Sequence, residues 1–243
     1  MSSDSASNSG GFPITVWTFI HQAGDRKRPA YAEAVNRFVA RYWKPVFCFL
    51  RAKGYPLPQA EDLTQEFFTR LLERDWLERA DPKRGRLRTF LLTLLIRFLS
   101  DEGPERAPRQ KTFEQQFVSI TSLVGDEERS FEPPCGETPE SIFLQRWAAE
   151  VLSNARRRLQ RFCAERGHAE WYALFEAAHG GDEETNREAL AERFKMTCNQ
   201  VRHALAQVRQ WFKVLLHTEV RNEVGPDADM VEEVRELLAL LKR

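Results

Sequence analysis

Between Leu190 and Lys213 the chain spaces residues that can hydrogen-bond to nucleic-acid base edges and to phosphates. Thr197 is a suitable helix N-cap, and Val201, Leu205, Val208, Phe212 and Leu215 then recur at helical spacing, which would pin that helix to a core. Asn199, Gln200, Arg202, His203, Gln207 and Arg209 are left on the outside, with Lys213 farther along. Leu190 and Ala191 belong to a preceding helix, and Phe194, Lys195 and Met196 span a tight connection. Two helices joined in this way make a helix-turn-helix, whose second helix offers Asn, Gln and Arg to base edges in the major groove. An ordinary helical hairpin with a solvated charged face has the same pattern, and Lys195 stands where glycine would turn more easily.

A second block lies a hundred residues earlier. Lys83, Arg84, Arg86 and Arg88 can neutralise phosphates and give salt-sensitive affinity. Trp76 and Phe90 are large rings nearby that could stack on an unpaired base, or could equally be core aromatics beside solubilising arginines. Counting Lys, Arg, Asp and Glu, residues 81–100 hold five bases and one acid (+4), and residues 193–213 hold five bases and no acid (+5). Residues 222–243 hold six acids and three bases (−3), so a formal net charge of zero hides two cationic patches.

The elements that must position these residues are all helical. A short helix is expected over residues 14–22 and a long one over 31–53, where Val35, Phe38, Val39, Trp43, Val46, Phe47 and Phe49 form a broad apolar face. Gly54 and Pro56 end it, and Pro58 suits the first turn of a third helix. That helix sets Leu63, Phe67, Phe68, Leu71 and Leu72 on one side, with Glu61, Asp62, Gln65, Glu66 and Arg70 largely on the other. Residues 87–99 resume as a helix whose polar positions Thr89, Thr93, Arg97 and Ser100 make one narrow stripe. Prolines and charges then mark an interdomain linker. Further helices are expected from residue 140 through 178, over 186–194, from 197 to about 216, and in an amphipathic closing segment with Met230, Val234, Leu237 and Leu241. The expected fold is all-α with two small helical domains: a leader (1–11), a first domain (12–100), the linker (101–139), a helix-turn-helix domain (140–220) and an acidic extension (221–243).

Composition narrows the function classes. Cys48, Cys135, Cys163 and Cys198 lack CxxC pairing, and no His lies at zinc-finger spacing from them, so neither disulfide nor metal scaffolding is expected. The five histidines are dispersed, no glycine-rich phosphate loop occurs, and no Ser, His and Asp stand at a recognisable catalytic spacing, which argues against an enzyme and against a cofactor. The N-terminal segment has no cationic stretch followed by an apolar one, and the apolar runs are too short to span a bilayer. A cytoplasmic protein without membrane contact is therefore expected.

The string Glu61-Asp62-Leu63-Thr64-Gln65-Glu66-Phe67-Phe68-Thr69-Arg70-Leu71-Leu72, with Asp81-Pro82-Lys83-Arg84-Gly85-Arg86-Leu87-Arg88-Thr89-Phe90-Leu91 after it, resembles region 2 of the sigma-70 family of RNA polymerase sigma factors. The type is the compact extracytoplasmic-function one that keeps only regions 2 and 4, in a bacterial subgroup common in planctomycete-like genomes. Residues 140–216 resemble region 4, so the likeness spans most of the chain. The resemblance implies that Glu61, Asp62, Gln65 and Glu66 dock on the clamp helices of core RNA polymerase. It implies that Trp76, Lys83, Arg84, Arg86, Arg88, Thr89, Thr93 and Arg97 hold the opened −10 element of promoter DNA. Thr197, Asn199, Gln200, Arg202 and His203 would read the −35 element, with Arg209 and Lys213 nearer the backbone.

Two departures from the family stand out. Gln59 occupies a position that is acidic in many members, so phosphorylation of Thr64 or Thr69 is one way to restore negative charge. The helix after Asp227 extends past the usual end of region 4, and could pack on it, bind an anti-sigma or other regulatory protein, or cover DNA-facing arginines. A plain helix-turn-helix repressor or activator would use the C-terminal unit but give residues 56–100 no task.

Overall fold

In a computed structural model of the chain, the described residues are 29–73, 85–100, 124–178, 187–224 and 227–242. The expected helix over 14–22, the leader, Trp76, Lys83 and Arg84 lie outside them. Among the described residues there are nine α-helices and no strand: α1 (Pro29–Ala52), α2 (Leu57–Glu73), α3 (Leu87–Ser100), α4 (Asp126–Arg129), α5 (Pro139–Glu165), α6 (Ala169–Ala177), α7 (Arg187–Phe194), α8 (Cys198–Arg221) and α9 (Met230–Leu240). No described helix is long and apolar enough to cross a membrane.

Val46 to Leu50 of α1 are all buried, and a helix apolar on every side belongs at the centre of a bundle. Around it pack Phe67, Phe68 and Leu71 of α2, Leu91, Leu95 and Phe98 of α3, and Ile142, Phe143, Trp147 and Val151 of α5. Leu216 and Val220 at the end of α8 and Leu237 of α9 join the same core. Helices from both expected domains therefore pack around one shared core. Two long helices make this so. The first part of α5 faces α1, while Leu159 and Cys163 near its end pack with Phe175, Val208 and Leu215. The antiparallel α8 starts among Leu174, Leu190, Ala191 and Val201 and ends in the central core.

The end of the expected linker also docks. Val124 and Phe131 are buried in the central core, and Glu128 lies 2.6 Å from Lys44 Nζ. Burial pushes the Glu128 carboxyl up, but the Lys44 ammonium and the backbone N–H groups of Glu128 and Gly125 outweigh that and hold it below the usual carboxylate range.

Where α1, α5 and α8 meet, the core is ionic. Glu223, fully buried, accepts from Arg41 Nη1 at 2.7 Å, from the Tyr42 hydroxyl, and from Trp147 Nε1 at 3.3 Å. Glu219, one turn earlier, accepts from Arg41 and from Arg158 Nη1 at 2.6 Å. The Glu223 carbonyl accepts the Leu87 N–H at 3.4 Å, which fixes the start of α3 to the end of α8. Burial, then the Glu223 charge and hydrogen bond, raise the Tyr42 phenol well above its ordinary value near 10. This contribution to stability is complete below about pH 10 and is lost as pH rises further, because the unfolded chain ionises first.

Glu223→Ala leaves Arg41 Nη1, the Tyr42 hydroxyl and Trp147 Nε1 buried without their acceptor and is expected to cost about 3–5 kcal/mol of unfolding free energy in urea titrations. Tyr42→Phe is expected to cost about 2 kcal/mol and to flatten the loss of stability above about pH 10.

Candidate nucleic-acid interface

The turn between α7 and α8 forms despite its lysine. Lys195 takes φ of 53°, the left-handed conformation that glycine adopts more readily. Its N–H donates to the Glu192 carbonyl at 3.2 Å, and the Met196 N–H to the Ala191 carbonyl at 2.9 Å. Thr197 then caps α8 as expected. Its Oγ1 accepts the Gln200 N–H at 3.2 Å, and Gln200 Oε1 accepts the Thr197 N–H at 2.7 Å, a reciprocal capping box. Half of the Gln200 side chain is thereby committed to the helix terminus.

Val201, Leu205, Val208 and Leu215 are buried as their spacing predicts, and Phe212 is half-buried. Asn199, Gln200, Arg202, His203, Arg209 and Lys213 are exposed, and Gln207 is half-buried. Arg202, Ala206, Arg209 and Lys213 follow one another along one side of α8. Beside them a cavity of about 180 Å³ is lined by Arg187, Arg202 and Arg209 over Leu190, Leu205 and Ala178. Three arginines around an apolar floor suit a phosphate better than a base.

Along another line of α8, the half-buried Trp211 stacks on Trp171 with centroids 5.8 Å apart, and Trp171 stacks on His168 at 4.0 Å. Trp171 meets the His203 ring edge-on at 6.1 Å. An exposed histidine of the candidate recognition surface is thus buttressed by a tryptophan from α6. Sequence reasoning missed this ladder. Its only local signal is two tryptophans on separate helices, with nothing to say that they meet.

The earlier block is rearranged. Thr89, Thr93, Arg97 and Ser100 form the expected exposed stripe on α3, and the Thr93 hydroxyl donates to the Thr89 carbonyl at 2.9 Å. Arg88, expected as a phosphate-binding cation, is instead buried at 1% exposure. Its guanidinium carbon sits 4.2 Å from the centroid of the Trp147 ring, and its Nη2 donates to Glu233 at 2.9 Å. Arg86 is half-buried and pairs with Glu233 and Glu236. The cause is α9, which the sequence placed at the end of the chain but not over these cations.

On α2, Asp62 is exposed, and Glu61, Gln65 and Glu66 are half-exposed. Arg70 is buried rather than on the polar side. It pairs with Glu66 at 2.7 Å and lies 5.1 Å from the centroid of Phe98. A guanidinium can enter the core edge when an aromatic face and a carboxylate replace its water. Thr64 is fully buried, with its hydroxyl donating to the Ala60 carbonyl at 2.6 Å, so it offers no accessible site for phosphorylation. Thr69 is half-exposed and donates to the Gln65 carbonyl at 2.8 Å. Among the described residues no group of three or more His, Cys, Asp or Glu could hold a metal ion.

Compared with known proteins, the chain finds no counterpart: no family model, no curated protein and no solved structure matches it.

Lys195→Gly is expected to raise stability by about 0.5–1 kcal/mol by relieving the left-handed turn, while Thr197→Ala lowers it by about 1 kcal/mol through the lost cap. Thermal unfolding measures both.

Proposed function

We propose that the protein is a sigma factor of the extracytoplasmic-function type, which binds core RNA polymerase and directs promoter recognition and opening. The observation that carries this reading is the pairing, in one chain, of a capped helix-turn-helix with a second surface of different character. The first exposes Asn199, Arg202 and His203 at the start of α8. The second combines Glu61 and Asp62 on α2 with the Thr89, Thr93 and Arg97 stripe on α3. In this reading α8 reads the −35 element, the α3 stripe borders the opened −10 element, and α2 docks on the polymerase. An anti-sigma or other regulatory protein is a further partner under the same reading.

The reading carries a geometric demand. The start of α3 is tied to Glu223 at the end of α8, whereas Asn199 begins that helix. Twenty-four residues of helix separate them by roughly 36 Å. Elements centred at −35 and −10 are about 25 base pairs apart, or roughly 85 Å of B-DNA. One closed body cannot place both surfaces at once, so promoter engagement must part the α1–α3 side from α5 and α8. The apolar surface uncovered in parting would be covered by polymerase.

A helix-turn-helix repressor or activator is the second reading, and the shared core favours it, since such a protein acts as one body. A promoter-opening assay separates the two. With core polymerase, permanganate-reactive thymines near −10 are expected only when this protein is added; duplex binding with no opening would leave the repressor or activator. In the same complex, spin labels at Ile96→Cys on α3 and Gln210→Cys on α8, both exposed, with exposed Cys135 and Cys198 replaced, are expected to move apart by tens of Å. An unchanged distance during promoter opening would refute the parting.

A further inference from the structure

Arg86 and Arg88 flank the start of α3 and face α9. Arg86 Nε donates to Glu233 Oε1 at 2.6 Å, and its Nη1 lies 2.5 Å from Glu236 Oε2. Arg88 Nη2 donates to Glu233 Oε2 at 2.9 Å and lies 3.4 Å from Glu236 Oε2. Each guanidinium therefore meets both carboxylates. Three residues apart on a helix, the two acids stand side by side, with about 5–6 Å between their Cβ atoms. A guanidinium fork donates to carboxylate and to phosphate oxygens through the same N–H groups.

The pairing is incomplete, unlike that around Glu223. Among the described residues Arg88 Nη1 is buried without a hydrogen-bond partner. The side chains of Arg86 and Glu236 remain 34% and 36% exposed, so the ring of charges has an edge open to solvent. The helix that supplies the acids is also lightly held. It has 11 residues, too few to persist alone in water. Leu237 anchors it in the core, with Met230, Val234, Leu240 and Leu241 only partly buried against it.

We propose that Arg86 and Arg88 form a binding site for a nucleic-acid phosphodiester strand, and that Glu233 and Glu236 of α9 are its intramolecular occupant, displaced when the strand binds. The proposal rests on reading the start of α3 as a nucleic-acid surface. It adds a self-shielding step to that surface, with the acidic extension in place of phosphate in the free protein.

The test uses the full chain without polymerase and a fluorescent single-stranded DNA of mixed sequence, followed by anisotropy over a salt series. Glu233→Gln/Glu236→Gln is expected to bind about tenfold more tightly than the unaltered protein. Two added phosphate contacts should steepen its salt slope by about 1.4. Arg86→Ala in that background should remove about half of the added slope. Equal affinity and slope for the unaltered and doubly substituted proteins would overturn the proposal, as would a double variant that binds no DNA. Should the double variant unfold, Glu236→Gln alone is expected to show part of the gain. In the unaltered protein, residues 230–240 should then lose hydrogen-exchange protection on adding DNA; unchanged protection overturns the proposal. Promoter opening is scored separately, so its absence counts against the sigma reading, whereas unchanged anisotropy with intact opening counts only against the shielding.

Discussion

The Glu223 carboxylate is buried where three helices converge, and the packing of the described chain depends on keeping its oxygens occupied. Arg41, Tyr42 and Trp147 supply the donors from α1 and α5, while Arg41 and Arg158 satisfy Glu219 one turn away. A charge removed from water costs several kcal/mol, recovered only when every partner arrives in good geometry. Sliding α8 by one residue against α1 or α5 would turn Glu223 away from all three donors at once. The network therefore sets register, and the surrounding aromatic core supplies most of the favourable burial energy.

What the network holds together reaches the far end of the molecule. Because α5 and α8 run from this junction into the helix-turn-helix, the exposed start of α8 is carried by a helix whose other end is clamped. Any ligand bound there would meet a surface that loses little entropy, since its helix is already positioned. The Trp211, Trp171 and His168 stack extends this to His203, whose ring is backed by aromatic surface. The same rigidity sets the cost of any function that needs the two ends apart. Parting them must break the Arg41 pairs and expose a common core, which only a large partner surface can offset.

The two ionic clusters differ in a way that bears on function. Around Glu223 every carboxylate oxygen is used and the two carboxylates themselves are buried, as structural charges require. Around Arg88 a donor is left over, a carboxylate stands half in water, and the acids come from an 11-residue helix at the edge of the fold.

Local rules wrote much of this protein into its sequence. The apolar spacing on α2 and α8, the Thr197 cap, the stops at Gly54 and Pro56 and the exposed Thr89, Thr93 and Arg97 stripe all follow from neighbours within a few residues. Those rules fix helices and their faces because i, i+3 and i+4 contacts are properties of one helix. They failed where a partner far along the chain decided the outcome. Arg70 and Arg88 looked solvated because arginines usually are; Phe98, Trp147 and Glu233 buried them. Likewise Glu223 carried no local mark as the junction of the fold, and the acidic segment after Asp227 gave no sign of which cations it would cover. Whether two cationic blocks stay apart or share a core depends on which apolar faces meet, and periodicity says that a face is apolar without saying what covers it.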